Sequence, residues 1–177
     1  MSHSNPACTQ TQSNLLQRAT NYSFAGFLLA LVLLCSPLLA QETAPSFSVR
    51  DLEGNRFALE GLRGKILVLN FWFVQCRPCV QEMPELNRLV QEHQGEEVVF
   101  LAFALNAKPE IETFLKKKTF DYHIIPAAQS VAEDYAVEGY PTHIIIDQTG
   151  KVAYRTVGLG LTTVSDLKQT LSALLAP

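Results

Sequence analysis

Apolar and polar positions alternate around Phe47 and Val49 and again around Phe57 and Leu59, on either side of Glu53-Gly54-Asn55. Period-two alternation broken by a glycine-bearing turn predicts a β-hairpin. After Gly61-Leu62-Arg63-Gly64 the pattern changes, and residues 65–73 (Lys-Ile-Leu-Val-Leu-Asn-Phe-Trp-Phe) are almost continuously apolar, β-branched or aromatic. A run of that length, apolar on both faces, predicts a central strand covered by helices. From Pro78 to about His93, the residues Val80, Met83, Leu86, Leu89 and Val90 recur three to four apart, the period of a helix with one buried face. Pro84 is expected to kink that helix after its first turn or so.

The rest of the chain repeats this grammar. Residues 97–105 predict a second buried strand, and Pro109 opens a helix to about Lys118 with Ile111, Phe114 and Leu115 inward. Lys116, Lys117 and Lys118 fall near its C-terminus, where cations suit the helix dipole. Residues 122–125 predict a short strand, 129–135 a short helix and 142–147 another strand. Asp147-Gln148-Thr149-Gly150 turns the chain into a strand over 151–157, and a last helix from about 163 to 175 buries Val164, Leu167, Leu171 and Leu174. Parallel units first, then a hairpin and a terminal helix, is an α/β order.

The first forty residues stand apart. Arg18 precedes an apolar run from Phe24 to Leu34, and Cys35-Ser36-Pro37-Leu38-Leu39-Ala40 follows it. A charged flank, a short apolar run, a helix breaker and a small residue describe a secretory signal peptide over 1–40, cleaved after Ala40. Residues 24–40 also reach the lower edge of the roughly 17–25 residues that a spanning helix needs, so an uncleaved anchor is the alternative, tethering the domain to a membrane. Under either reading a polar linker at 41–45 leads into a domain over 46–177, exported to the periplasm or the outer face of the cytoplasmic membrane.

Composition narrows the class. In 177 residues, 47% are apolar and 18% charged, which fits one globular domain and excludes a disordered chain or a polytopic membrane protein. A net charge of −3 gives no basic field to hold phosphates, so nucleic acid is excluded as a partner. Of the four cysteines, only Cys76 and Cys79 lie beyond the leader. They are too close to close a stabilising loop, and a domain of this size buries its core without staples. Their use is chemical.

Cys76-Arg77-Pro78-Cys79 follows a buried strand directly and opens a helix. Cys76 is therefore expected at or before the first turn, where unpaired N–H groups and the positive dipole end favour a thiolate, with Arg77 adding a fixed positive charge. This predicts a solvent-open Cys76 as attacker and a less exposed Cys79, one turn further in, as resolver. A c-type haem attachment needs His after the second cysteine, and Val80 stands there. A zinc site needs two further ligands, and His93, His123 and His143 are not at ligand spacing. No metal and no cofactor beyond the redox-active dithiol are expected.

Val68-Leu69-Asn70-Phe71-Trp72, Cys76-Arg77-Pro78-Cys79, Glu82-Met83-Pro84-Glu85-Leu86 and Gly139-Tyr140-Pro141-Thr142 resemble the TlpA/ResA-like, membrane-tethered or periplasmic branch of the thioredoxin family. The match runs from about Phe47 to the C-terminus. The resemblance implies a thioredoxin-like fold: a central mixed sheet flanked by helices, with an N-terminal β-hairpin and a central helix–strand insertion at about 108–125. It implies Cys76 as nucleophile, Cys79 as resolving thiol, and Pro141 as a cis-proline facing the pair, with Tyr140 offering backbone groups to an extended substrate. Arg77, Pro78 and Trp72 complete the expected substrate-contact set, although Trp72 also reads as core packing. Glu82 matches an acid that tunes the cysteine pair in this branch; its other reading is an exposed first-turn acid placed for the dipole. Asn70 stands where thioredoxin has a buried acid, and His123 and His143 read as structural histidines in strands. The branch usually carries Trp immediately before the first cysteine. Here Gln75 stands there, so Phe73 or Tyr140 is expected to supply the apolar rim.

The same resemblance implies an exported thiol-disulfide oxidoreductase that reduces disulfides of client proteins, apocytochrome c among them, and is reset by a membrane-embedded thiol electron donor. Two rival classes share the fold. A thiol peroxidase needs Pro-x-x-x-Thr-x-x-Cys, and Leu69 and Phe73 hold the first two of those positions. A copper carrier would use Cys76, Cys79 and a histidine, but such proteins space their cysteines one residue wider.

Overall fold

The computed structural model describes residues 42–176. The signal or anchor expected over 1–40 lies outside them, and among the described residues no helix is long and apolar enough to cross a membrane. Strands β1 (Ser48–Arg50) and β2 (Arg56–Ala58) form the expected hairpin, with Val49 opposite Phe57. Its turn is organised by Asp51, whose carboxylate accepts the backbone N–H groups of Glu53 and Asn55 and the Asn55 side-chain amide. Burial works to raise the Asp51 carboxyl, but these hydrogen bonds and one from His123 outweigh it and hold the group below the usual carboxylate range. Gly54 adopts φ +92°, a left-handed conformation that only glycine takes without strain.

A 3-10 turn over Leu59–Leu62 feeds β3 (Ile66–Trp72), all of whose residues are buried. Then come α1 (Arg77–Glu92), β4 (Val98–Ala104), α2 (Lys108–Leu115), β5 (His123–Ile125), α3 (Gln129–Asp134), β6 (Thr142–Ile146), β7 (Val152–Val157) and α4 (Thr163–Leu175). The strand order is β5-β4-β3-β6-β7. Parallel pairs on one side of β3 and antiparallel pairs on the other make the sheet mixed, with β3 in its middle. The segment 108–125 supplies α2 and then the edge strand β5.

Because successive side chains of a strand point to opposite faces, the apolar run of β3 builds two cores. Ile66, Val68 and Trp72 pack with Met83, Leu86 and Leu89 of α1 and with Leu167 and Leu171 of α4. Leu67, Leu69 and Phe71 pack with Phe47, Phe103, and Val131, Ala132 and Tyr135 on the other side. Asn70 shares the parity of Val68 and Trp72, so it faces α1, and across the ladder it is paired with His143 of β6.

Two expectations need correction. Residues 42–45 are no free linker: Thr43 bridges Lys151, the Val152 N–H donates to the Glu42 carbonyl (2.8 Å) and the Ala44 N–H to the Gly150 carbonyl (3.1 Å). The chain thus joins the sheet edge before its hairpin begins, through backbone bonds that polarity patterns do not register. Helix α2 stops at Leu115, leaving Lys116, Lys117 and Lys118 exposed beyond its end. Three adjacent cations repel one another and bring no apolar surface to bury, so nothing extends the helix over them. Pro84 sits within α1, which continues past it to Glu92.

Leu86 is fully buried between α1 and the sheet. Leu86→Ala should lower unfolding free energy by about 2–5 kcal/mol, the usual cost of lost transfer energy plus a cavity. Urea denaturation showing a loss well under about 1 kcal/mol would mean that this face is not the core.

Candidate active site

Strand β3 ends at Trp72, and the chain turns through Phe73-Val74-Gln75 into α1. The turn is held from both sides: the Cys76 N–H donates to the Phe73 carbonyl (3.0 Å), and the Val74 N–H to Asn106 Oδ1 (2.8 Å). Cys76 is the N-cap of α1 and its Sγ accepts the Cys79 N–H at 3.3 Å. Pro78 lies in the first turn, where a missing N–H removes nothing from the helix ladder. Cys76 and Cys79 are joined by a disulfide with Cα atoms 5.3 Å apart. The sulfurs therefore sit where unpaired helix N–H groups converge, the setting that favours a thiolate once the pair is reduced.

Cys76 is not solvent-open as expected: it is 4% exposed and Cys79 is 1% exposed in this oxidised state. The Phe73 and Tyr140 rings meet edge to face with centroids 5.4 Å apart, and both pack on the cluster that contains the two cysteines. These are the two side chains expected to supply the apolar rim, with Gln75 in place of a tryptophan. Arg77 is exposed and, among the described residues, has no ion-pair partner.

The Tyr140–Pro141 bond is cis. Thr142 of β6 pairs with Phe71 of β3, so Pro141 lies at the end of the sheet from which the dithiol turn departs. The loop is pinned by the Gly158 N–H donating to the Pro141 carbonyl (2.7 Å) and by Thr142 Oγ1 donating to the Gly139 carbonyl (2.7 Å). A Cβ at Gly139 would meet Val157 Cγ1 at 2.8 Å, so any larger residue there would have to displace that side chain. Among the described residues the Tyr140 backbone N–H and C=O have no backbone partner, which leaves them available to an extended chain.

Glu82 is 3% exposed, which rules out the exposed first-turn acid. It lies three residues after Cys79 on the same helix face, and its Oε1 is 3.0 Å from His143 Nε2 and 3.4 Å from Asn70 Nδ2. Asn70 Nδ2 is also 3.4 Å from His143 Nδ1. The His143–Glu82 contact is close but not aligned along the N–H bond, and Glu82 Oε2 has no hydrogen-bond partner. Tyr122, also buried, has an unpartnered hydroxyl; burial, and then the charge of Glu82, push its phenol well above the usual range. Beside this set, a groove of about 500 Å³ between α1 and α4 is lined by Glu82, Arg88, Leu89, Leu161, Val164 and Lys168.

Trp72 is the clear correction among the expected substrate contacts. It is fully buried, with its ring 5.4 Å from Phe114 and 5.6 Å edge-on from Phe120, and so belongs to the core. His123 pairs with Asp51 at 3.0 Å and packs on Phe57, a structural role. Asn106, which holds the dithiol turn, and Tyr122 escaped the sequence reading; an asparagine just past the end of a buried strand was the available signal for the first. Among the described residues no group of three or more His, Cys, Asp or Glu side chains could hold a metal ion.

A disulfide on a helix N-terminus beside a cis-proline loop, carried on this sheet, defines a thioredoxin-fold dithiol protein. The comparisons agree. The AhpC/TSA family model matches residues 40–155. Thiol-disulfide oxidoreductase ResA of Geobacillus thermodenitrificans is 37% identical over 134 residues, 75% of this chain and 76% of that protein. Thioredoxin-like protein YneN of Bacillus subtilis is 32% identical over 133 residues, 73% and 77% of the two chains. A solved thiol-disulfide oxidoreductase from Bacteroides fragilis is 29% identical with a TM-score of 0.63, covering 72% of this chain and 98% of that one. The chain belongs to the ResA/TlpA-like thioredoxin family and is a thiol-disulfide oxidoreductase.

If the Phe73 ring shields the disulfide, Phe73→Ala should speed reduction of the oxidised protein by dithiothreitol several-fold without changing the fold. An unchanged rate at constant circular dichroism would show that the ring does not shield it.

Proposed function

We propose that this oxidoreductase works at the cell envelope as a reductase of protein disulfides, and the observation that carries the reading is the Cys76–Cys79 pair on a helix N-terminus with the buried Glu82 one turn behind it. Cys76 thiolate attacks a client disulfide, forming a mixed disulfide and expelling one client thiolate, which takes a proton from solvent. Cys79 then attacks Cys76 Sγ, its proton passing to Glu82, and the second client sulfur leaves. Two electrons have moved from the dithiol to the client, and the disulfide seen here is the product state.

Pro141 and the unpaired Tyr140 backbone align the client chain, with Arg77 and Pro78 at the edge of its path. A membrane-embedded thiol donor returns the pair to the dithiol. Apocytochrome c is the client class implied by the likeness to the ResA branch. Export through residues 1–40, by a cleaved signal or a retained anchor, gives the domain access to such clients. The dithiol is the whole of the redox apparatus in this reading, with no other cofactor and no metal. A peroxidase reading gains nothing: Leu69 is fully buried, and Phe73 belongs to the aromatic rim.

Cys79→Ser should accumulate mixed disulfides with client proteins, and Cys76→Ser should abolish insulin reduction; insulin reduction by Cys76→Ser would reverse the assigned roles. Equilibration against glutathione should give a potential nearer the roughly −270 mV of a reducing thioredoxin than the roughly −120 mV of a strong oxidant. A value at the oxidising end would overturn the reductase direction.

A further inference from the structure

His143 is a buried titratable side chain that the steps above leave unused, and it lies against the one acid that they do use. The inference here deepens the proposed function and rests on it. Asn70 and His143 are cross-strand partners on β3 and β6, and both face α1. The Asn70 amide nitrogen points at His143 Nδ1 (3.4 Å), which makes Nδ1 the acceptor and places the ring proton on Nε2. Nε2 is the atom 3.0 Å from Glu82 Oε1, and the two side chains are 0% and 1% exposed. The pair lies out of water at that distance, but the N–H is not aligned on Oε1 and Nε2 has no hydrogen-bond partner in this state, so the contact acts as a short-range electrostatic one. Glu82 Oε1 thus accepts the Asn70 amide and has the His143 Nε2 edge close beside it, while Oε2 is buried and has no hydrogen-bond partner.

We infer that His143 is a positioning residue for Glu82: its Nε2–H, with the Asn70 amide, holds Oε1 and leaves Oε2 as the atom that takes the Cys79 proton in the resolving step. The step balances as follows. The Cys79 S–H bond breaks and its proton forms an O–H bond at Oε2. The Cys79 sulfur pair forms the bond to Cys76 Sγ, the Cys76–client S–S bond breaks, and the client sulfur leaves as a thiolate that is protonated by solvent. His143 itself keeps its proton.

The other groups around Glu82 do not compete for it. Along α1, Arg88 is paired with Glu85 (2.9 Å); from α4, Lys168 is paired with Glu92 (2.7 Å). Tyr122 has a phenol that is held in its protonated form by burial and by the Glu82 charge. Cys79 lies one turn back along α1 and is buried on the same helix face as Glu82.

The test separates the two chemical steps in the full-length protein. The resolving step is followed as release of insulin from the mixed disulfide, and the first step as mixed-disulfide formation in a Cys79→Ser background, both across pH. His143→Leu should slow resolution about tenfold, a fraction of what a positioned base supplies, and shift its pH inflection in the same sense as Glu82→Gln. Mixed-disulfide formation should be unchanged. The double variant should be no slower than Glu82→Gln alone, and His143→Gln, which keeps an N–H donor, should recover most of the rate. A His143→Leu profile matching the wild type, equal slowing of both steps, or additive loss in the double variant would overturn the inference. Should His143→Leu fail to fold, ¹⁵N NMR of the wild-type imidazole decides: a neutral Nε2–H tautomer whose Nε2 shift moves in Glu82→Gln is expected, and an Nδ1–H tautomer overturns it. A wild-type protein that reduces no disulfide would strike the proposed function instead, and the tautomer measurement would still decide the contact.

Discussion

The arrangement depends on one constraint: a strand buried on both faces must end abruptly, and the chain leaving it must start a helix within a few residues. Strand β3 meets the first condition because its residues are all buried. Cys76 meets the second as the N-cap of α1, its sulfur accepting the Cys79 N–H. Helix N-termini leave N–H groups without intrahelical partners, and a sulfur placed there satisfies one of them while sitting at the positive end of the dipole. A rigid strand on one side and a rigid helix on the other keep the pair from drifting.

The second layer of the site comes from what lies under that helix. Burying a carboxylate away from water is costly unless polar partners replace the lost hydration. Glu82 accepts the Asn70 amide and has His143 Nε2 at 3.0 Å, two side chains that come from neighbouring strands and meet because β3 and β6 are in register at that pair. One oxygen is engaged and the other is not, an asymmetry that suits a group exchanging a proton more than one that serves stability alone. The aromatic pair of Phe73 and Tyr140 packs on the cluster that contains the disulfide, whose two cysteines are nearly fully buried.

Much of this was legible in the residues alone. The hydrophobic run of residues 65–73, the three-to-four spacing from Val80 to Val90 and the Cys-Arg-Pro-Cys spacing named the strand, the helix and the dithiol between them, because period and burial are local properties of a pattern. The loop at Tyr140-Pro141 was marked differently, by the likeness of Gly139-Tyr140-Pro141-Thr142 to the family rather than by any local period. Boundaries were less secure where the signal was charge rather than apolar period, as at Lys116–118, or backbone bonding, as at residues 42–45.

What the tertiary structure alone decided concerns side chains whose environment is made by distant segments. Trp72 reads as substrate contact or as core until Phe114 and Phe120 are seen against it. Glu82 reads as a surface acid or a buried one until His143, brought from far along the chain by strand pairing, is found beside it. The near-complete burial of Cys76 is likewise seen only once the chain is folded. Sequence determined the elements and the reactive pair because helix and strand periods and the Cys-x-x-Cys spacing are short-range; it could not determine which polar groups share a buried space, because that depends on register and packing between elements that no local pattern encodes.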